Sequence, residues 1–123
     1  MITVTLIEDD AMVREGMETF LRSAGYLVIS GASADDLSWK IGESGVRPDV
    51  LLCDYRLGPA TALEAVPEAM RAIDAQVPVI ILTGDSSTDV RDLIRARGWH
   101  RMLKPYTPHE LLFMLSQIET RVA

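Results

Sequence analysis

The stretch Pro48-Asp49-Val50-Leu51-Leu52-Cys53-Asp54-Tyr55-Arg56-Leu57-Gly58-Pro59 decides the fold. It is an apolar run of strand length that ends on one carboxylate and breaks at Gly-Pro. An unbroken apolar run of this kind reads as a strand buried on both faces, the habit of parallel sheets. Asp54 stands at its carboxyl end, outside which the ligand sites of open α/β sheets gather. Three other strand-like runs end in comparable ways. Residues 2–7 lead into Glu8-Asp9-Asp10, residues 78–82 into Thr83-Gly84-Asp85, and residues 100–103 into Lys104-Pro105. In a parallel sheet these ends share one edge, so carboxylates, a hydroxyl and an ammonium converge on Asp54.

The segments between these runs read as helices. Val13, Met17, Phe20, Leu21 and Ala24 fall on one face of a helix at 11–24, which Gly25 stops. A second strand is expected at 26–30. Ser33 then caps a helix at 34–43 whose apolar side is Leu37 and Ile41. A loop of five to six residues follows Asp54, and Thr61 with Glu64 forms a capping box for a helix at 61–75, with Pro67 in its first two turns. Ser86 with Asp89 caps a helix at 87–97, ended by Gly98. Thr107-Pro108-His109-Glu110 is the clearest helix start, with Leu111, Leu112, Leu115 and Ile118 facing inward. Five strands alternating with five helices predict one doubly wound parallel sheet, a single domain over residues 1–123.

Composition narrows the function. A net charge of −6 and a pI near 4.8 disfavour nucleic acid or an anionic membrane as direct partner and suit a cation site. No apolar run reaches the 18 or so residues of a membrane span, and Met1 leads straight into a strand without a signal peptide, so a cytoplasmic location is expected. The lone Cys53 reads as a small core residue, and the absence of any Cys/His pattern argues against a zinc site. Met12, Met17, Met70, Met102 and Met114 read as core filler, and Trp39 and Trp99 as packing, with Trp99 near a partner-binding surface. His100 and His109 read as surface or capping residues, and Asp10 as a helix N-terminal acid.

Glu8, Asp9 and Asp54 brought within a few ångströms repel one another. Each close pair costs roughly 4 kcal/mol at an effective dielectric near 20. Such a cluster needs a cation or a proton. Oxygen ligands without His or Cys suit Mg²⁺ or Mn²⁺. Lys104 can pair with a carboxylate or bind an added phosphoryl group, to which the Thr83 hydroxyl can donate. The set fits phosphoryl transfer to an aspartate, in which positioning and charge neutralisation do most of the work.

With these residues in place the chain resembles, from end to end, a response-regulator receiver domain. The resemblance rests on Glu8-Asp9 after the first strand, Asp54 after the third, Thr83 after the fourth and Lys104-Pro105 after the fifth. It implies a flavodoxin-like sheet of order 2-1-3-4-5. It also implies that Asp54 accepts a phosphoryl group from a phosphohistidine on a histidine kinase or histidine phosphotransfer protein. Glu8 and Asp9 would hold Mg²⁺ with Asp54 and the Arg56 backbone carbonyl. Lys104, beside a cis peptide bond to Pro105, would contact the phosphoryl oxygens, and Thr83 would couple them to the surface of helix 4, strand 5 and helix 5. Such a domain is a phosphoacceptor, not an enzyme, although it phosphorylates and dephosphorylates itself with Mg²⁺. A homodimer through that surface is a further expectation.

The chain also departs from the family's pattern. Arg101 stands three residues before the lysine, where an aromatic switch residue is common, and Ala62 stands where a glycine is usual. Arg56 and Asp85 occupy positions that shape the path of hydrolytic water. A phosphatase of the haloacid dehalogenase type needs a second acid two residues after its nucleophile, where this chain has Arg56. A flavodoxin-like flavin carrier needs a phosphate-cradling loop where this chain has Glu8-Asp9-Asp10. A receiver-like interaction module independent of phosphorylation remains the alternative. The Cys53-Asp54-Tyr55-Arg56-Leu57-Gly58 stretch and the missing aromatic are similar to receivers fused to membrane-anchored hybrid sensor kinases, so the chain is expected to be a stand-alone receiver or one excised from a longer protein.

Overall fold

The computed structural model describes residues 2–122, leaving Met1 and Ala123, the two ends of the domain read from the sequence, outside the described residues. Strands β1 (Thr3–Ile7), β2 (Leu27–Gly31), β3 (Val50–Asp54), β4 (Val79–Thr83) and β5 (His100–Leu103) form one sheet in the order β2-β1-β3-β4-β5, every pair parallel. Helices α1 (Ala11–Ser23), α2 (Ala34–Ser44), α3 (Ala62–Ile73), α4 (Thr88–Ala96) and α5 (Pro108–Val122) alternate with them. This is the doubly wound sheet that the strict strand–helix alternation predicts. No helix among the described residues is long and apolar enough to cross a membrane.

Every residue of β1, β3 and β4 is buried. Alternation along β3 divides the core into two layers. Leu52 points to one side, with Leu6, Leu21, Ile80, Leu111 and Leu115 under α1 and α5. Leu51 and Cys53 point to the other, with Leu37, Val66, Ile81 and Ile94 under α2, α3 and α4. Each such side chain contributes about 1.5–3 kcal/mol through burial. The α1 stripe is shallower than its spacing predicts. Only Leu21 is fully buried, while Val13 and Ala24 are exposed, because Val13 lies on the rim of a groove against Tyr106, Pro108 and Leu111 of the α5 side. Leu112 is likewise only half-buried. Met12 and Trp39 project into solvent, contrary to their reading as packing residues, whereas Trp99 packs on the α4 side of the core.

The helix starts follow local chemistry. Asp10 caps α1 by accepting the Val13 N–H (3.0 Å), and Ser33 caps α2 by accepting that of Asp36 (3.1 Å). At α3 the box is reciprocal: Thr61 Oγ1 accepts from Leu63 N–H (3.2 Å), and the Glu64 carboxylate accepts from Thr61 N–H (2.7 Å). Pro67 is accommodated inside α3, which ends at Asp74 in the left-handed region. The cap of α4 is Ser87, one residue later than expected, because the Asp85 carboxylate takes the Ser87 N–H and turns the chain first.

The loop expected after Asp54 is a small hairpin. Arg56–Leu57 pairs antiparallel with Ala60–Thr61 across Gly58-Pro59. Gly58 has φ +62°, which suits a two-residue hairpin turn opened by glycine. Paired stretches of two residues are too short to show a period-two pattern, so sequence reading leaves them as loop. Ala62 then begins α3 directly, fully buried, with its N–H on the Tyr55 carbonyl (2.8 Å).

At the end of β2, a Cβ on Gly31 would fall 2.6 Å from the backbone nitrogen of Leu37. Backbone cannot retreat as a flexible side chain can. Gly31→Ala is therefore expected to destabilise the domain by about 2 kcal/mol, within the range of overpacking costs. Equal urea midpoints for wild type and variant would contradict this close approach of β2 and α2.

Candidate functional site

The carboxyl ends of the parallel strands bring the expected residues together. Asp54 is the last residue of β3 and lies in register with Leu82 of β4, so Thr83 stands one step beyond it. Thr83 pairs with Leu103, and its carbonyl accepts the Lys104 N–H (2.8 Å), which places Lys104 on the same edge. Glu8 follows β1, fixed by its N–H to the Gly31 carbonyl (3.1 Å) and by Arg14, which donates to the Glu8 carbonyl (2.8 Å). The Lys104–Pro105 peptide bond is cis.

Glu8, Asp54 and Thr83 are buried and Asp9 is exposed. Carboxylate oxygens of Glu8, Asp9 and Asp54 all lie within 4.8 Å of one another. Lys104 Nζ stands 3.1 Å from Asp54 Oδ1. That contact lacks hydrogen-bond alignment, and Oδ1 is buried without a hydrogen-bond donor. Burial and, after it, a hydrogen bond shared with Asp54 together push the Glu8 carboxyl up to about 7, against the opposing pull of the Asp10 N–H. One lysine, itself partly exposed, does not balance three acids. A buried carboxylate oxygen without a hydrogen-bond donor, in a cluster of three acids that offers oxygen ligands and no His or Cys, is an environment that a hard divalent cation satisfies, so the residues present fit Mg²⁺ or Mn²⁺.

A cavity of about 420 Å³ opens over Asp54, lined by Arg56, Leu82, Thr83, Gly84, Asp85 and Lys104. Thr83 Oγ1 accepts the Asp85 N–H (3.0 Å), so Asp85 holds the hydroxyl. At the mouth the Arg56 guanidinium meets the Asp85 carboxylate at 3.4 Å. Sequence reading singled out Arg56 and Asp85 separately. It missed their pairing, since they are far apart in the chain and only the sheet order brings them together. The Ser87 side chain and N–H, followed by the Arg56 charge, hold the Asp85 carboxyl below its usual range. Behind Asp54, the Cys53 thiol donates to the Asp54 carbonyl (3.2 Å), and burial raises its pKa far beyond the ordinary thiol range, which makes it a packing group.

A parallel sheet of this order, with buried acids, a threonine and a lysine at one edge, defines a receiver-type α/β domain. The chain matches the response regulator receiver domain family over residues 4–116 and belongs to it. It is 30% identical over 111 residues to YxjL, an uncharacterized transcriptional regulatory protein of Bacillus subtilis, covering 90% of this chain and 51% of that protein. It is 25% identical to PhoB, the phosphate regulon transcriptional regulatory protein of Pseudomonas aeruginosa, covering 97% of this chain and 52% of PhoB. The chain thus spans about half the length of these curated relatives. Among solved structures, chemotaxis protein CheY4 of Vibrio cholerae superposes with a TM-score of 0.81 at 25% identity, over 96% of this chain and 98% of that one. A two-component response regulator from Clostridium difficile gives 0.85 at 14% identity, over 99% of this chain and 98% of that one, a likeness of fold alone.

Proposed function

We propose that this receiver domain takes a phosphoryl group from a phosphohistidine onto Asp54 and so carries a signal in a two-component phosphorelay. The observation that carries this reading is the buried Asp54 carboxylate, with an oxygen that accepts no hydrogen bond, between an acid pair and Lys104. In the step proposed, an Asp54 oxygen attacks phosphorus. The O–P bond forms as the N–P bond breaks, and the electron pair stays on the imidazole nitrogen, which is reprotonated from solvent. Lys104 faces the transferred oxygens with its charge. The Thr83 hydroxyl, released from the Asp85 N–H, donates to one of them. Glu8, Asp9, Asp54 and the Arg56 carbonyl would hold Mg²⁺ or Mn²⁺, which when bound supplies positive charge for the phosphoryl oxygens. The donor would be a histidine kinase or a histidine phosphotransfer protein on the cytoplasmic side. The domain acts on its own aspartate and is not a turnover enzyme. Movement of Thr83 would be read at the surface of α4, β5 and α5.

Intact mass after incubation with acetyl phosphate and Mg²⁺ tests this reading. A phosphoryl adduct that needs the metal is expected. A folded, Mg²⁺-binding protein that takes up none would overturn it in favour of an interaction module independent of phosphorylation.

The Arg56–Asp85 pair is expected to set the lifetime of that adduct by closing the mouth to water. Arg56→Ala and Asp85→Ala should each speed loss of the phosphoryl group about two- to fivefold, the worth of one partly exposed ion pair. Because they remove the same contact, the double variant should be no faster than either single one. Decay rates identical to wild type would remove the pair from the route of water.

A further inference from the structure

Strand β2 is an outer strand, with no strand beyond it among the described residues. The Gly31 carbonyl accepts the Glu8 N–H and so faces β1. Backbone groups alternate in direction along a parallel strand, so Val28 and Ser30 turn their N–H and C=O groups away from the sheet. Both outward carbonyls are taken by cations. Arg22 of α1 donates to the Val28 carbonyl (3.3 Å), and Lys40 of α2 donates to the Ser30 carbonyl (2.9 Å). The two helices cover opposite faces of the sheet, so the edge is held from both sides. Each cation is held by an acid one turn earlier on its own helix, Arg22 by Glu18 (3.1 Å) and Lys40 by Asp36 (3.3 Å). The acids are tied to the same strand. Glu18 accepts the Ser30 hydroxyl (2.7 Å), and Asp36 accepts the Ala32 N–H just past the strand end (3.1 Å). Phosphoryl chemistry at Asp54 uses none of these groups.

We propose that Arg22 and Lys40 latch the outer edge of β2, and that the unlatched edge pairs antiparallel with the same edge of a second copy of this chain. A free strand edge is a template for another strand, and long cationic side chains are one means of closing it. The register is self-complementary. About a two-fold axis through Ile29, Val28 of one copy stands opposite Ser30 of the other, and the reverse. Each such pair exchanges both of its N–H···O=C bonds, as antiparallel pairing requires. The same register sets Leu27, which is 56% exposed, opposite Gly31, which has no side chain to obstruct it. The charges permit the meeting, since Glu18, Arg22, Asp36 and Lys40 sum to zero and neither copy repels the other there. The latch opens without unfolding, because the Arg22 and Lys40 side chains are 56% and 42% exposed and can turn into water. This edge lies across the sheet from β5, so it is a different face from the one whose dimer the sequence suggests. It stands apart from the phosphoacceptor reading and involves neither Asp54 nor Lys104.

Sedimentation of the full chain over a wide range of concentration, combined with amide hydrogen exchange, tests this. The double variant of Arg22→Ala with Lys40→Ala should self-associate at least about tenfold more tightly than wild type, since two charge-assisted hydrogen bonds no longer compete for the edge carbonyls. In its dimer the Val28 and Ser30 amides should exchange slowly, whereas in wild type they should exchange as exposed amides do. Adding Val28→Pro to the double variant should restore the wild-type behaviour, because the ring removes a donor that β1 does not use. Leu27→Lys, at an exposed position, should do the same by placing a further cation on the edge, and it decides the matter should proline disturb the strand. A double variant no more associated than wild type would overturn the proposal. So would a dimer in which the Val28 and Ser30 amides stay unprotected, or one that Leu27→Lys leaves intact.

Discussion

Asp54→Asn is expected to take up no phosphoryl group from acetyl phosphate at any Mg²⁺ concentration, while wild type forms a single adduct. The amide nitrogen cannot act as the nucleophile, and its oxygen carries no full charge. The same substitution should change stability in a direction set by burial. In wild type without metal, Asp54 places a second negative charge against Glu8, which is 2% exposed. Lys104 offsets only part of this at 3.1 Å, and its own side chain is 39% exposed. Removing the Asp54 charge returns Lys104 to water at little cost and frees Glu8 from repulsion that it has no solvent to escape. Asp54→Asn should therefore be more stable than wild type near pH 8 without Mg²⁺, by on the order of 1–2 kcal/mol. It should gain less from added Mg²⁺, because one of three oxygen donors has lost its charge. Intact mass and urea unfolding read both effects. An adduct on the variant would assign the acceptor to another residue, and a lower metal-free stability would mean that Lys104 outweighs the acid pair.

The site was legible because its central residues, Glu8, Asp54, Thr83 and Lys104, end a strand or directly follow one. Burial on both faces makes β3 and β4 continuous apolar runs, and where such a run stops, a polar residue announces the sheet edge. Glu8, Asp54, Thr83 and Lys104 could be placed together from that rule before any contact was known. What stayed hidden depends on contacts between segments or on elements too short for a period. The Arg56–Thr61 hairpin is one case. The shift of the α4 cap from Ser86 to Ser87 is another, since both serines fit and the Asp85 turn decides. The exposure of Met12 and Trp39 is a third. Hydrophobicity says what a side chain gains by burial, not whether a neighbour is there to bury it. The raised proton affinity of Glu8 followed only partly. Its neighbours were readable, but its burial, the larger cause, comes from the depth of the edge beside Asp54.

That proton affinity makes the metal-free domain lose stability as the solution becomes more alkaline. The Glu8 carboxyl titrates at 4.5 unfolded and at about 7 folded. Below the lower value both states hold the proton and nothing is lost. As pH rises through the window, the unfolded chain releases a proton that the folded chain retains, and stability falls by about 1.4 kcal/mol per unit. Above the upper value both are ionised and the loss levels off, on the order of 3 kcal/mol in all. Acids held below their usual range, Asp36 by the Ala32 N–H and Glu64 by the Thr61 N–H, act in the opposite sense. Their contribution is present above their unfolded values and is lost as pH falls through the folded ones, so stability should peak on the acid side of neutrality. Saturating Mg²⁺ should abolish the alkaline loss, since bound metal favours the ionised cluster and binds only the folded chain. Glu8→Gln keeps the shape without the titration. Its metal-free profile should be flat across the window, and it should gain little from Mg²⁺ at pH near 8. Urea midpoints at intervals from about pH 4.5 to 8, with and without Mg²⁺, give the answer. A flat wild-type profile, or equal Mg²⁺ stabilisation of wild type and Glu8→Gln, would show that the edge does not confine Glu8 against Asp54.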